Sequence, residues 1–146
     1  MLRRAALLLS VAVPLAGADL LHKALATTPA WAYHPRGGAW IALSAAVFLA
    51  CVALSRVPSE GVAAGAGLLA AGAAGNGIAA VAWERGIPNP IVWESGSHLA
   101  AFNLADVFTV LGIALLLVLL SSVTIRNRER LLAPRAVVRM LWERLR

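Results

Sequence analysis

An apolar run from Val107 to Leu120, relieved only by Thr109 and Gly112, most constrains what this chain can fold into. A helix needs about 20 mainly apolar residues to cross a bilayer, and residues 103–124 supply that length. Three more apolar segments, residues 5–22, 39–56 and 61–83, repeat the pattern. The sequence therefore predicts an all-α, polytopic membrane protein with four transmembrane helices.

The overall composition supports the same class. Of the 146 residues, 60% are hydrophobic and only 14% are charged, and the mean hydropathy is +0.78. A soluble domain of this size has too little core to bury so much apolar surface. The net charge of +6 could indicate a nucleic-acid partner, but the basic residues gather at the ends of apolar segments and in the tail. We therefore expect membrane lipids, and no nucleic acid, as partners.

The basic residues also predict the orientation, because cytoplasmic loops are rich in lysine and arginine. With both termini inside, the outer side carries only Lys23, Arg36 and Arg85. The inner side then carries Arg3, Arg4, Arg56 and the seven arginines of residues 126–146. We expect both termini in the cytoplasm, with residues 1–125 forming the membrane domain.

The tail, residues 126–146, has a pattern of its own. From Pro134 onward, four apolar residues recur at helical spacing, namely Val138, Leu141, Trp142 and Leu145. Such a basic amphipathic pattern predicts a helix that lies on the membrane surface and binds anionic lipid.

The first apolar segment has two interpretations. Ala16-Gly17-Ala18 is a small-residue site after a short apolar stretch, which is typical of a cleaved signal peptide. In that case residues 1–18 are removed and three spans remain. In the other interpretation the segment stays as the first transmembrane helix, with Asp19 and Lys23 paired across one turn.

Three polar sites fall at a similar depth in the predicted helices. Asp106 lies at the mouth of the fourth helix, where a carboxylate is costly and often functional. Its other interpretation is a helix cap, shared with Asn103. Asp19 ends the first helix and Asn76 lies near the end of the third. We expect Asp19, Asn76 and Asp106 to meet near the outer surface.

The third helix is built from alanine and glycine. Gly67, Ala71, Gly75 and Ala79 recur every four residues, which predicts close packing between membrane helices. The single cysteine, Cys51, and the scattered histidines His22, His34 and His98 give no usable metal-binding set. We expect neither a metal nor another cofactor.

Several of these residues carry a resemblance to a known family. Phe102-Asn103-Leu104-Ala105-Asp106, Gly75-Asn76 and the pair Asp19 and Lys23 match motifs of the lipoprotein signal peptidases, the type II signal peptidases. The resemblance implies a four-helix aspartic endopeptidase of the bacterial plasma membrane that removes signal peptides from prolipoproteins. It implies a catalytic role for Asp106, and a role for Asn76, Asn103, Lys23 and Gly75 in positioning the substrate.

The chain also departs from that family. The second catalytic aspartate, on the third helix, is replaced by Ala79, and the arginine after it by Ala80. The family's Asn-x-Gly-x-Ala-Phe loop is also degraded, because Arg36-Gly37-Gly38-Ala39-Trp40 keeps small residues and an aromatic but no asparagine. A substitute acid would have to be Asp19 or, as a weaker candidate, Glu84. We therefore expect a divergent signal peptidase-like protein with weak or no catalysis.

Two other functions remain open at this point. The first is a non-catalytic role, in which the groove beside Asp106 binds lipidated prolipoprotein signal peptides, or lipids, without cutting them. The small residues of the third helix could instead indicate a small transporter subunit, but the inner halves of the helices offer no continuous polar path.

Overall fold

Four helices make up most of the chain in a computed structural model, which describes residues 1–128, 139 and 142–144. The helices are α1 (Leu2–Leu25), α2 (Gly38–Leu54), α3 (Glu60–Ala82) and α4 (Leu104–Arg126). Each end lies within three residues of its predicted position. The helices α1, α3 and α4 are long and apolar enough to cross a membrane, whereas α2 is shorter. The chain is a mostly helical membrane protein.

Helix α3 lies at the centre of the fold because its side chains are the smallest. It packs against α1, α2 and α4, and its apolar stretch is 61% buried, against 22% for α1 and 11% for α4. The predicted packing stripe, Gly67, Ala71, Gly75 and Ala79, is buried along its whole length. A Cβ on Gly67 would lie 2.7 Å from the carbonyl oxygen of Leu8 in α1. Small residues therefore allow the close approach of these helices.

Apolar packing and a few polar contacts stabilise the end of the bundle that contains the N-terminus. Its apolar cluster contains Leu8, Ala12, Cys51, Val62, Ala66, Ala70 and Leu116. Nε of Arg4 donates to the carbonyl oxygen of Ser55 at 3.0 Å, which joins the start of α1 to the end of α2. Ser59 caps α3 by accepting a hydrogen bond from the N–H of Val62 at 3.3 Å. The start of α1 lies beside the end of α2, and the start of α3 lies beside Leu119 near the end of α4, so successive helices run in opposite directions.

The opposite end contains short strands that the sequence analysis did not predict. A 3₁₀ turn (Ala30–Ala32) leads into β1 (Tyr33–His34), which pairs antiparallel with β2 (Ile87–Pro88). Strands β3 (Ile91–Ser95) and β4 (His98–Phe102) form a hairpin. The connection between α3 and α4 therefore contains paired strands, not only irregular loop. Strand β4 ends directly before α4 and so sets where that helix begins.

The hairpin turn is made by Gly96 and Ser97, between the paired residues Ser95 and His98. Gly96 has a φ of +58°, which glycine adopts without strain. Two-residue turns of this composition are a known hairpin signal.

At the other end of the chain, α4 stops at Arg126, and Asn127 Nδ2 donates to the carbonyl oxygen of Val123 at 2.8 Å. The amphipathic helix predicted from Pro134 onward falls almost wholly outside the described residues. It therefore stays a prediction.

Candidate functional site

The start of α4 holds Asp106 in a defined orientation. Asn103 is the N-cap residue, and its Oδ1 accepts a hydrogen bond from the backbone N–H of Asp106 at 3.1 Å. In return, the backbone N–H of Asn103 donates to Oδ2 of Asp106 at 3.1 Å. This capping box satisfies two otherwise free N–H groups. The cap interpretation is confirmed, and it leaves Oδ1 of Asp106 for another partner.

That partner is Asn76 of α3. Its Nδ2 donates to Oδ1 of Asp106 at 2.8 Å, and its Oδ1 accepts from Nζ of Lys23 at 2.8 Å. Lys23 also donates to Oδ2 of Asp19 at 2.7 Å. A polar chain therefore runs from Asp19 through Lys23 and Asn76 to Asp106, across α1, α3 and α4. The structure brings together the three polar sites that the sequence placed at one depth.

Both carboxylate oxygens of Asp19 accept hydrogen bonds. Besides its bond with Lys23, its Oδ1 accepts from the backbone N–H of Ala105 at 2.8 Å. Ala105 lies in the first turn of α4, where the N–H groups have no partner within the helix. The side chains of Asp19 and Lys23 are fully buried. A Cβ on Gly75 would lie 2.5 Å from Oδ2 of Asp19, so the glycine leaves room for the carboxylate.

Within residues 1–128, the hydrogen bonds that the Asp106 side chain accepts come from nitrogen groups of Asn76 and Asn103. Asp19 is separated from Asp106 by Lys23 and Asn76. Ala79, in the place of the family's second aspartate, is fully buried. Glu84 follows α3 in an exposed turn, and no hydrogen bond joins it to Asp106. The two proposed substitute acids therefore have different surroundings, since Asp19 is paired with Lys23 and Glu84 is exposed. A role for either of them as the second acid stays a prediction.

Two adjoining cavities meet at Asp106. The first, of about 210 Å³, lies between α2, α3 and α4, and its walls are mainly apolar, including Leu43, Val47 and Leu69. The second, of about 220 Å³, lies under the short strands. Its polar lining consists of His34, Arg36, Asn76, Asn89, Asn103 and Asp106. Trp40, Asn76 and Asp106 line both cavities. We call the two neighbouring cavities together the groove, with an apolar end and a polar end.

A second hydrogen-bonded chain lines the polar end. Asn103 Nδ2 donates to Oδ1 of Asn89, and Nδ2 of Asn89 lies 2.7 Å from Nδ1 of His34. The pairing of β1 with β2 brings these segments together, and the N–H of Asn89 donates to the carbonyl oxygen of Ala32 at 3.1 Å. The sequence did not identify His34 or Asn89 as residues of the site. The one available signal was the position of Asn89, a polar residue between two prolines, and the structure shows that it is buried.

Two arginines rest on aromatic rings at the same end of the protein. The guanidinium of Arg36 lies 4.4 Å from the ring centre of Trp40, and that of Arg85 lies 4.5 Å from the ring centre of Tyr33. Such cation–π contacts stabilise an arginine while leaving its N–H groups available. In the described part of the chain, no three His, Cys, Asp or Glu side chains are grouped to hold a metal ion.

Comparison with known proteins agrees with the motifs. The family model of signal peptidase (SPase) II matches residues 13–122, about three quarters of the chain. This range contains both polar chains and both cavities. Searches of curated proteins and of solved structures each gave no match.

Proposed function

The chain belongs to the signal peptidase II family, and from that premise we propose that it binds a lipid-modified signal peptide beside Asp106 without cleaving it by the family's two-carboxylate reaction. Membership makes it a lipoprotein signal peptidase-like membrane protein. The observation that carries the proposal is the set of partners of Asp106. Its side chain accepts hydrogen bonds from Asn76 and Asn103, while the carboxylate of Asp19 is paired with Lys23 instead.

The chemistry of peptide hydrolysis explains why the second acid matters. In an aspartic peptidase one carboxylate removes a proton from the attacking water, while the other, protonated, polarises the scissile carbonyl. One carboxylate cannot hold both protonation states at once. Asp19 would have to give up Lys23 and Ala105 to reach the reaction centre, which would leave a buried ammonium unpaired.

The shape of the groove supports binding of an amphipathic ligand. The apolar end between Leu43, Val47 and Leu69 suits acyl carbon atoms, and the polar end under the strands suits a peptide group. Asn76, Asn103 and Lys23 position the carboxylate of Asp106 between the two ends, and Gly75 makes room for Asp19. Ligand sites of this kind combine apolar walls with a few oriented polar groups.

The proposal includes a setting in the membrane. All four helices span the plasma membrane of a bacterium, with both termini in the cytoplasm and the groove at the outer face. Helix α2 has 17 residues, which is at the short end of the range for a spanning helix. The basic tail binds anionic lipid on the inner face.

The test uses the purified full chain in detergent with a diacylglyceryl-modified prolipoprotein peptide. We expect the peptide to bind and to remain uncut by mass spectrometry. The double variant Ala79→Asp, Ala80→Arg restores the family's motif and should cleave, because it adds the missing acid. Ala80→Arg alone adds the charge without the acid and is the matched control, which should not cleave.

Two results would overturn the proposal. One is cleavage by the native chain that Asp106→Asn abolishes, and Asp19→Asn and Glu84→Gln would then identify the second acid. The other is failure of the native chain to bind the peptide. If the double variant binds but does not cleave, adding Pro35→Asn restores the family's loop asparagine as well, because Pro35 occupies its place when the motif is aligned on Gly37, Ala39 and Trp40.

A further inference from the structure

We propose that His34 contacts the bound peptide, donating a hydrogen bond from Nε2 to one of its carbonyl oxygens. The imidazole lines the polar end of the groove together with Asp106. The inference rests on the proposed function, since it names one contact of the ligand that the groove would hold. It is carried by the direction of the hydrogen bonds that lead from α4 to His34.

The direction is set by a backbone group of known polarity. The N–H of Asp106 can only donate, so the side-chain atom of Asn103 that it contacts at 3.1 Å is the oxygen. The other branch of that amide is then the NH₂ group. It lies against Asn89 and, at 3.4 Å, against the carbonyl oxygen of Pro88, which can only accept. Both contacts agree that Asn103 donates here.

The direction of the hydrogen bond between Asn89 and the imidazole of His34 is fixed in turn. Because Asn89 accepts from Asn103 through its oxygen, the atom that it presents to His34 is its NH₂ group. An amide nitrogen donates and does not accept. Nδ1 of His34, at 2.7 Å, must therefore be the acceptor and carry no proton. A neutral His34 then holds its proton on Nε2, which is the ring nitrogen left for a ligand.

The polar end of the groove therefore offers a donor and an acceptor to one ligand. The donor is the Nε2–H of His34, and the acceptor is the carboxylate of Asp106, with Arg36 as the other charged group in the lining. A peptide group presents one carbonyl acceptor and one N–H donor, so it matches this pair. The ester groups of a diacyl lipid present acceptors only. The pairing therefore favours a lipid-linked peptide over a lipid whose polar part carries no donor.

The first measurement is the tautomer of His34, by NMR of ¹⁵N-histidine-labelled full chain in detergent at alkaline pH. The His34→Asn variant identifies the signal. We expect the proton on Nε2 in the native chain. Asn89→Asp replaces the donor with an acceptor and should move the proton to Nδ1. A native His34 with its proton on Nδ1 would overturn the inference.

The second measurement is binding of two ligands: the diacylglyceryl-modified peptide and a diacyl lipid without peptide. His34→Ala should weaken peptide binding roughly 3- to 10-fold, the effect of one lost hydrogen bond, and leave lipid binding unchanged. His98→Ala is the matched control, because His98 is exposed on β4 and lies outside the lining of the groove. It should change neither affinity.

The outcomes separate this inference from the proposed function. If the native chain binds the peptide and His34→Ala binds it equally well, the contact is wrong while the proposed function stands. Equal weakening for both ligands would contradict the preference for a peptide group. If the native chain binds no lipid-modified peptide, the proposed function fails and this inference fails with it.

Discussion

At the scale of single residues, the buried pair of Asp19 and Lys23 is the contact of the site at which removal of one partner should be most destabilising. Both side chains are fully buried and lie 2.7 Å apart. Asp19→Asn leaves the ammonium without its counter-charge, and we expect a loss of about 3–5 kcal/mol in the free energy of unfolding. The measurement is denaturant unfolding in detergent. Adding Lys23→Met should recover part of the loss, because no buried charge then remains unpaired.

An exposed ion pair serves as the control for that experiment. Arg3 and Glu60 lie 3.1 Å apart, with side chains 87% and 58% exposed. Water screens such pairs, so Glu60→Gln should change the stability little. If Asp19→Asn is as mild as Glu60→Gln, the buried pair does not tie α1 to α4.

Whether the sequence predicts a contact in the site depends on how far apart the two partner residues lie along the chain. Asp19 with Lys23, and Asn103 with Asp106, are partners within one helical turn, and their spacing predicts the contact. Lys23 and Asn76 are 53 residues apart, and His34 and Asn89 are 55 residues apart. For Asn76, the similar depth of Asp19, Asn76 and Asp106 in the predicted helices indicated that the three residues meet. His34 and Asn89 lie on loops and short strands, where no periodicity relates one segment to another.

At the scale of elements, packing between α1 and α3 depends on a glycine. A Cβ on Gly67 would lie 2.7 Å from the Leu8 carbonyl oxygen and 2.9 Å from Cβ of Val11. Gly67→Ala should therefore separate the helices and lower the melting temperature in detergent. Gly17→Ala is the matched control in α1, since its new Cβ would meet nothing within 4 Å. It should keep or raise the melting temperature, because alanine favours the helix.

Those two substitutions have opposite expected signs although both replace glycine by alanine in a helix. A fall of the melting temperature for Gly17→Ala that equals the fall for Gly67→Ala would contradict the packing account.

Elements differed in how well the sequence predicted them. The helices follow long apolar runs bounded by charged or polar residues, so their bounds were close to those observed. The strands β3 and β4 have five residues each, too few for alternation to be distinct from loop composition. Only the Gly96-Ser97 turn indicated the hairpin. The hairpin matters because it leads directly into Asn103 and so fixes where α4 and Asp106 begin.

At the scale of the whole molecule, the groove depends on how α3 contacts its three neighbouring helices. The packing stripe brings α1 and α4 close on one side. Asn76 leaves that stripe and joins Lys23 to Asp106, while α2 stands off enough to leave the apolar cavity. Composition alone predicted a helical membrane protein. It could not show that the cavity opens beside Asp106, because that depends on how four helices pack.

The orientation of the whole molecule is the last prediction, and it decides whether the groove faces outward. Reporter tags at both termini should lie in the cytoplasm, and a probe within residues 84–97 should lie outside, because the basic residues favour that arrangement. Cleavage after Ala18 would instead give a mature N-terminus at Asp19 and three spans. It would also remove Leu8, Ala12 and Ala16, which are buried. Since their loss would strip α3 of apolar contacts, we expect N-terminal sequencing to find the first helix retained.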